Sequence, residues 1–151
     1  MPLSLEQIKL HAQSLVVALA NADKHPEVAL AFPKKIGYLG TIIEFDAEKP
    51  CLRVSIYVTG TWWKTATEEI KVNFRKTARA LNDPAIGGKY DRAGAIFQFD
   101  EAEGFYLIRI FALPDTTEES FLRDVGTLRN IAAKWTMEWF FEVAQRVHSK
   151  K

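Results

Sequence analysis

Gly94-Ala95-Ile96-Phe97-Gln98-Phe99-Asp100-Glu101-Ala102-Glu103-Gly104-Phe105-Tyr106-Leu107-Ile108-Arg109-Ile110-Phe111-Ala112-Leu113 holds two apolar runs around one polar turn. The first run, Gly94 to Phe99, places Phe97 and Phe99 on one face of a strand, because side chains alternate with a period of two. The second, Phe105 to Leu113, is apolar on both faces. Ile108 and Ile110 point one way, and Leu107 and Phe111 the other. A strand of that kind is central in its sheet or lies under a partner. The apolar runs Ile36–Phe45 and Phe105–Leu113 are too short to span a bilayer as helices.

Upstream, Leu52, Val54, Ile56 and Val58 alternate with Arg53, Ser55 and Tyr57, which predicts a half-buried strand closed by Gly60. Tyr38 to Phe45 reads as a further strand, and Asp46 to Pro50 as the turn between these two. Glu27 to Phe32 is open to a short-strand reading ahead of Pro33. Three helices complete the pattern. Ser4-Leu5-Glu6-Gln7 reads as a capping box, followed by apolar residues at helical spacing to about Ala22. Thr65-Ala66-Thr67-Glu68 reads as a second capping box, opening a helix from about Ala66 to Leu81 with Ile70, Phe74, Ala78 and Leu81 on one stripe. Asp115 or Thr116 caps the last helix. Its stripe, Phe121, Val125, Leu128, Ala132, Trp135, Trp139 and Val143, runs to about Val147. The fold class is therefore α+β: α-β(2-3)-α-β(2-3)-α, with an antiparallel sheet packed against helices, in a single domain over residues 1–151.

With 151 residues, 48% apolar and 26% charged, the chain has the composition of an ordinary globular domain. A net charge of +1 does not favour nucleic acid. The one cysteine, Cys51, permits no internal disulfide and fits a reducing compartment. The N-terminal residues lack a signal-peptide pattern, so cytoplasmic localisation and no membrane association are expected.

The residues that carry chemistry are sparse. His11, His25 and His148 share no metal-ligand spacing. Gly37, Gly40, Gly87 and Gly88 sit in turns and build no phosphate loop. The acidic pairs Glu68/Glu69 and Glu118/Glu119 stand in first helical turns, where they complement the macrodipole, and Asp100/Glu101 stands in a hairpin turn. No catalytic, cofactor-binding or metal-binding residue is assigned, and no cofactor is expected.

The interaction signals are stronger. On the second helix Lys71, Arg75 and Arg79 share a face, with Lys64, Lys89 and Arg92 nearby and Glu68 interrupting. This stripe is either a solvated face or a docking surface for an acidic partner. Trp62 and Trp63 stand at a strand-to-helix junction, one plugging the core or both meeting a partner. On the last helix Met137, Phe140 and Phe141 lie off the core stripe, where a surface helix should be polar. They need a second cover, either the first helix or a partner subunit, and the partner is preferred. Together with Ile108 and Ile110 they form the candidate dimer interface.

The order of elements resembles the secretion-chaperone-like superfamily, which includes the CesT/Tir-type type III secretion chaperones and the YbjN-like proteins. The likeness lies in Leu81-Asn82 before a loop, the strand Ala95 to Asp100, Gly104 closing the turn, the strand Tyr106 to Ile110, and the last helix with Trp135. It implies a small cytoplasmic homodimer without cofactors, binding a segment of a client protein or acting as a regulator. The leading expectation is a non-enzymatic, homodimeric protein-binding module whose client is unknown. Its rival is a small-molecule sensor or enzyme, with a pocket between the sheet and the long C-terminal helix lined by Trp62, Trp63, Tyr90 or Arg109. A subunit of a larger assembly is the third reading.

Overall fold

The computed structural model describes residues 4–59, 61–100 and 104–149, without the side chains of residues 61, 62, 100 and 146–149. Among the described residues, five α-helices and five strands follow one another as α1 (Leu5–Ala22), β1 (Ile36–Tyr38), β2 (Thr41–Asp46), β3 (Cys51–Tyr57), α2 (Glu68–Asn82), α3 (Pro84–Gly87), β4 (Ile96–Asp100), β5 (Gly104–Ala112), α4 (Glu118–Asn130) and α5 (Thr136–Ser149). The strands form one open antiparallel sheet in the order β1-β2-β3-β5-β4. The expected α+β class is the observed one.

Several boundaries differ from the expectation, each for a local reason. Glu27 to Phe32 is no strand, because residues Pro26–Ala31 wind as a 3₁₀ turn with Pro26 at its start. Tyr38 to Phe45 is two strands, since Leu39 (φ 49°) and Gly40 (φ 70°) form a left-handed two-residue turn that pairs Tyr38 with Thr41. The cap of α2 is Thr67, whose Oγ1 accepts from the Ile70 amide at 3.3 Å. That of α4 is Thr117, which exchanges hydrogen bonds with Ser120. Only the first capping box, Ser4 with Gln7, stands where the sequence puts it.

Two compact units are distinguishable. One comprises Met1–Ser55 and Arg109–Gly126. Its core includes Leu15, Val16, Leu19, Ile43, Leu52, Val54, Phe111 and Phe121. Phe121 meets Phe111 edge-on at 5.0 Å, and Arg109 pairs with Asp124 at 3.0 Å. The His11 ring faces the Thr116 carbonyl at 2.7 Å. A carbonyl only accepts, so Nε2 carries the proton there.

The other unit comprises Ile56–Ile108 and Thr127–Lys151. Strands β4 and β5 pair Phe97 with Leu107 and Phe99 with Phe105, so these four share one sheet face. On that face Trp63, 1% exposed, meets Phe74, Phe99 and Phe105 at 5.3–6.0 Å, all edge-on. Such contacts add about 0.5–1.5 kcal/mol each beyond burial. Phe140 of α5 joins the same cluster through Phe74, Phe97 and Phe105. Where β3 ends, the Thr59 hydroxyl accepts from the Phe105 amide at 3.0 Å and extends the ladder. Gly104 makes this possible. Its φ is +102°, and a Cβ there would overlap the Thr59 hydroxyl.

The last helix is not continuous α-helix. Residues Ile131–Trp135 form a π-turn, in which the Thr136 amide and hydroxyl both bond to the Ile131 carbonyl, the hydroxyl at 2.9 Å. One extra residue in a turn rotates everything after it by about 100°. The buried stripe therefore continues through Ile131, Thr136, Phe140 and Val143, while Trp135 is 45% exposed. The expectation that Trp135 and Trp139 lie on the core stripe is corrected by this single insertion.

Two outcomes follow. Gly104→Ala should lower the unfolding free energy by at least about 2 kcal/mol in urea denaturation, since strain and overlap add. Deleting the exposed Ala133 should turn the π-turn into an α-turn, keep Phe140 inward and leave the melting temperature within about 5 °C. Inserting an alanine after Ala133 should rotate Phe140 outward and cost about 3 kcal/mol or more. Equal tolerance of both changes would overturn the phase account.

Candidate functional site

The second unit carries an apolar groove. Asn73, Phe74 and Thr77 of α2 face Met137, Phe140, Phe141 and Ala144 of α5 around a cavity of about 250 Å³. Phe74 and Phe140, 5.1 Å apart, form its floor. Space remains above them because Thr77 and Ala144 are short. The Thr77 hydroxyl donates to the Asn73 carbonyl at 2.8 Å, which removes its polarity from the wall. Met137 (51% exposed) and Phe141 (66%) stand at the rim of a site whose interior is almost wholly apolar.

Of the residues expected at an interface, this groove unites Met137, Phe140 and Phe141, but in different roles. Phe140 is buried as floor and has no free surface to offer. Ile108 is likewise buried, paired with Ile96 across β4–β5. Ile110 is exposed on the portion of β5 that belongs to the first unit. The site adds Asn73, Phe74, Thr77 and Ala144. Phe74 was legible as core, but nothing in local spacing signals that Thr77 and Ala144 leave a hole.

The basic stripe divides. The Lys71 ammonium lies 5.7 Å from the Trp63 ring centre, and the Arg75 guanidinium 4.5 Å from that of Phe99. Both are engaged with the core cluster. Arg92 turns inward, donating to the Leu81 carbonyl and to Asn82 Oδ1. Burial pulls its guanidinium below the ordinary value. Arg79 and the neighbouring Lys76 are exposed and make no ion pair among the described residues. Trp63 is a core plug, and the Trp62 side chain lies outside the described residues.

No family model, curated protein or solved structure matches the chain.

The other candidate chemistries are not assembled. The Tyr90 hydroxyl donates to Glu142 at 2.6 Å, and its ring packs on Trp139 at 5.3 Å. Arg109 is committed to Asp124. Among the described residues, no group of three or more His, Cys, Asp or Glu could hold a metal ion. No helix among them is long and apolar enough to cross a membrane.

Cys51 is buried, and burial, then the nearby Asp46 carboxylate, pushes its thiol above the ordinary value of 9.0, with Lys49 opposing. A raised folded-state value stabilises the fold below the unfolded value, and that contribution is lost as pH rises past 9.0 toward the folded value. The thiol should therefore react with a disulfide reagent at pH 8 at least about 100-fold more slowly in the native protein than in denaturant. Comparable rates in the two states would contradict its burial.

Proposed function

We propose that this chain is a non-enzymatic protein-binding module that takes an apolar helical face into the groove between α2 and α5. One observation carries the reading: the two most conspicuous apolar side chains of α5, Met137 and Phe141, border a preformed apolar cavity. Helix-in-groove recognition uses such a site, with anchors at i, i+3 or i+4 and i+7. A chaperone-like or regulatory role, as the resemblance to the secretion-chaperone-like superfamily implies, is the wider setting of this proposal.

Strand addition is the weaker mode here. Edge strand β4 has its Phe97 amide and carbonyl already held by the Asn82 side chain, at 2.8 and 2.7 Å. An incoming strand would have to displace that side chain. The opposite edge, β1, is three residues long. Short or blocked edges discourage pairing with a further chain.

A small-molecule site is also less well supported. About 250 Å³ falls below the roughly 300–1,000 Å³ of common ligand pockets. Such pockets orient their ligands with convergent polar groups, and here only Asn73 offers a polar side chain not tied back to its own helix. One large apolar side chain suits the space better.

The chain has two methionines, Met1 and Met137, so a methyl-labelled sample carries one reporter in the groove. The expected result is a saturable shift of the Met137 methyl resonance on titration with a synthetic amphipathic helix bearing Phe and Leu at i, i+4 and i+7. The dissociation constant should lie at roughly 1–100 µM. Phe141→Glu should weaken binding at least 10-fold, and Ile110→Glu should not. An unmoved Met137 resonance at millimolar peptide would sink the reading.

A further inference from the structure

We infer that the occupant of this groove is a second copy of the chain, in a two-fold pair where α5 of each copy lies over α2 of the other. The inference rests on the groove reading above and names its partner.

Charge is the first argument. On α2 the exposed Lys76 follows the lining residue Asn73 by three positions and so flanks the groove with a positive charge, whereas Arg79 lies on the other side of the helix. The exposed face of α5 carries the acids Glu138 and Glu142. Glu142 accepts from Tyr90, while Glu138 has no partner among the described residues. The two walls thus differ in sign. Turning two such grooves face to face, about an axis running along them, sets the acidic wall of each against the basic wall of the other. A uniformly acidic helix would meet Glu138, and a uniformly basic one would meet Lys76. A surface with both signs on opposite walls is complementary to itself under that rotation.

Shape gives the second argument. Phe141 is a protruding side chain beside a cavity sized for one large side chain, and both lie on α5. Knob and hole in one patch satisfy the requirement of a two-fold interface, which uses the same surface twice and then closes.

Area is consistent with this. Phe141, Met137 and Ile70, the last 42% exposed on α2, leave on the order of 300 Å² of apolar surface uncovered. One side of a standard interface contains about 800 Å², of which roughly 450 Å² is apolar. The groove walls supply much of what such an interface needs, and a micromolar affinity is expected rather than an obligate dimer.

Solution mass of the full chain, measured from low micromolar to about 0.5 mM, tests the inference. It should rise toward twice the 17.1 kDa of one chain. Phe141→Glu, an exposed substitution whose fold is checked by circular dichroism, should weaken the pair about 100-fold or more. Lys76→Glu and Glu138→Lys should each weaken it about 10-fold. Combining the two should recover most of the loss, because the acid and the base then exchange places across the interface. A wild-type mass fixed at one chain throughout overturns the inference, as does a pair indifferent to all four variants. The Met137 titration separates the two failures. A monomer whose Met137 resonance still responds to the helical peptide removes the second copy but keeps the protein-binding reading. A monomer with no response removes both.

Discussion

Thr136 reaches five residues back to the Ile131 carbonyl, and the surface of α5 depends on that longer turn. Without it, Trp135 and Trp139 would point to the core and Phe140 would turn away. With it, Phe140 enters the aromatic cluster around Trp63 and Phe105, and Val143 follows one turn later. Met137 and Phe141, on the flank of that inward line, are set beside α2. The buried Thr136 hydroxyl is satisfied by the same carbonyl, so the extra residue leaves no unmet polar group at this position. Since π-turns arise by inserting one residue and weaken the local helix, their persistence commonly marks a functional site. Here the turn immediately precedes the helix that forms half of the groove.

The parts of the fold that were legible in the sequence are those governed by local periodicity. The Gly94–Leu113 segment reads as a hairpin because two apolar runs flank one polar turn, and the structure pairs Phe97 with Leu107 and Phe99 with Phe105 across it. The helix α1 reads to the residue because its capping box is reciprocal. Failures occur where one residue changes the phase or where a substitute does the work of a usual turn residue. Leu39 occupies a left-handed position more often filled by Asn or Gly, so the β1–β2 turn is hidden. The π-turn has no composition signal, so Trp135 is assigned to the wrong face. For the groove, the sequence identifies the apolar excess at Met137 and Phe141. It does not reveal the space beside them, which arises from two short side chains on different helices.

Asn82 links the fold to the choice of binding mode. It ends α2, and its amide pairs with both backbone groups of Phe97 on an edge strand. Arg92 holds the Asn82 oxygen and the Leu81 carbonyl, fixing the amide's orientation. One polar side chain thereby takes the role of a neighbouring strand. Apart from Ile96 on β4, the exposed large apolar side chains of this unit, Ile70, Val72, Trp135, Met137 and Phe141, lie on the helical segments, where side chains, not backbone, make the contacts.

The division of labour within the groove sets how an occupant would be held. Its floor is apolar and partly enclosed, so removal of water from the exposed rim side chains Met137 and Phe141 and from the open part of Phe74 provides the main attraction, at roughly 25 cal/mol per Å². The charges of Lys76 and Glu138 are exposed at the rim, where an ion pair contributes little net affinity and is screened by salt. Rim charges instead select orientation, because a misplaced helix sets like charges together. A pair formed this way would lose association rate and register fidelity at high ionic strength while keeping most of its apolar contact energy. A wholly electrostatic complex would dissolve under the same conditions. Modest sensitivity to salt with strong sensitivity to Phe141 is therefore the signature that this geometry dictates.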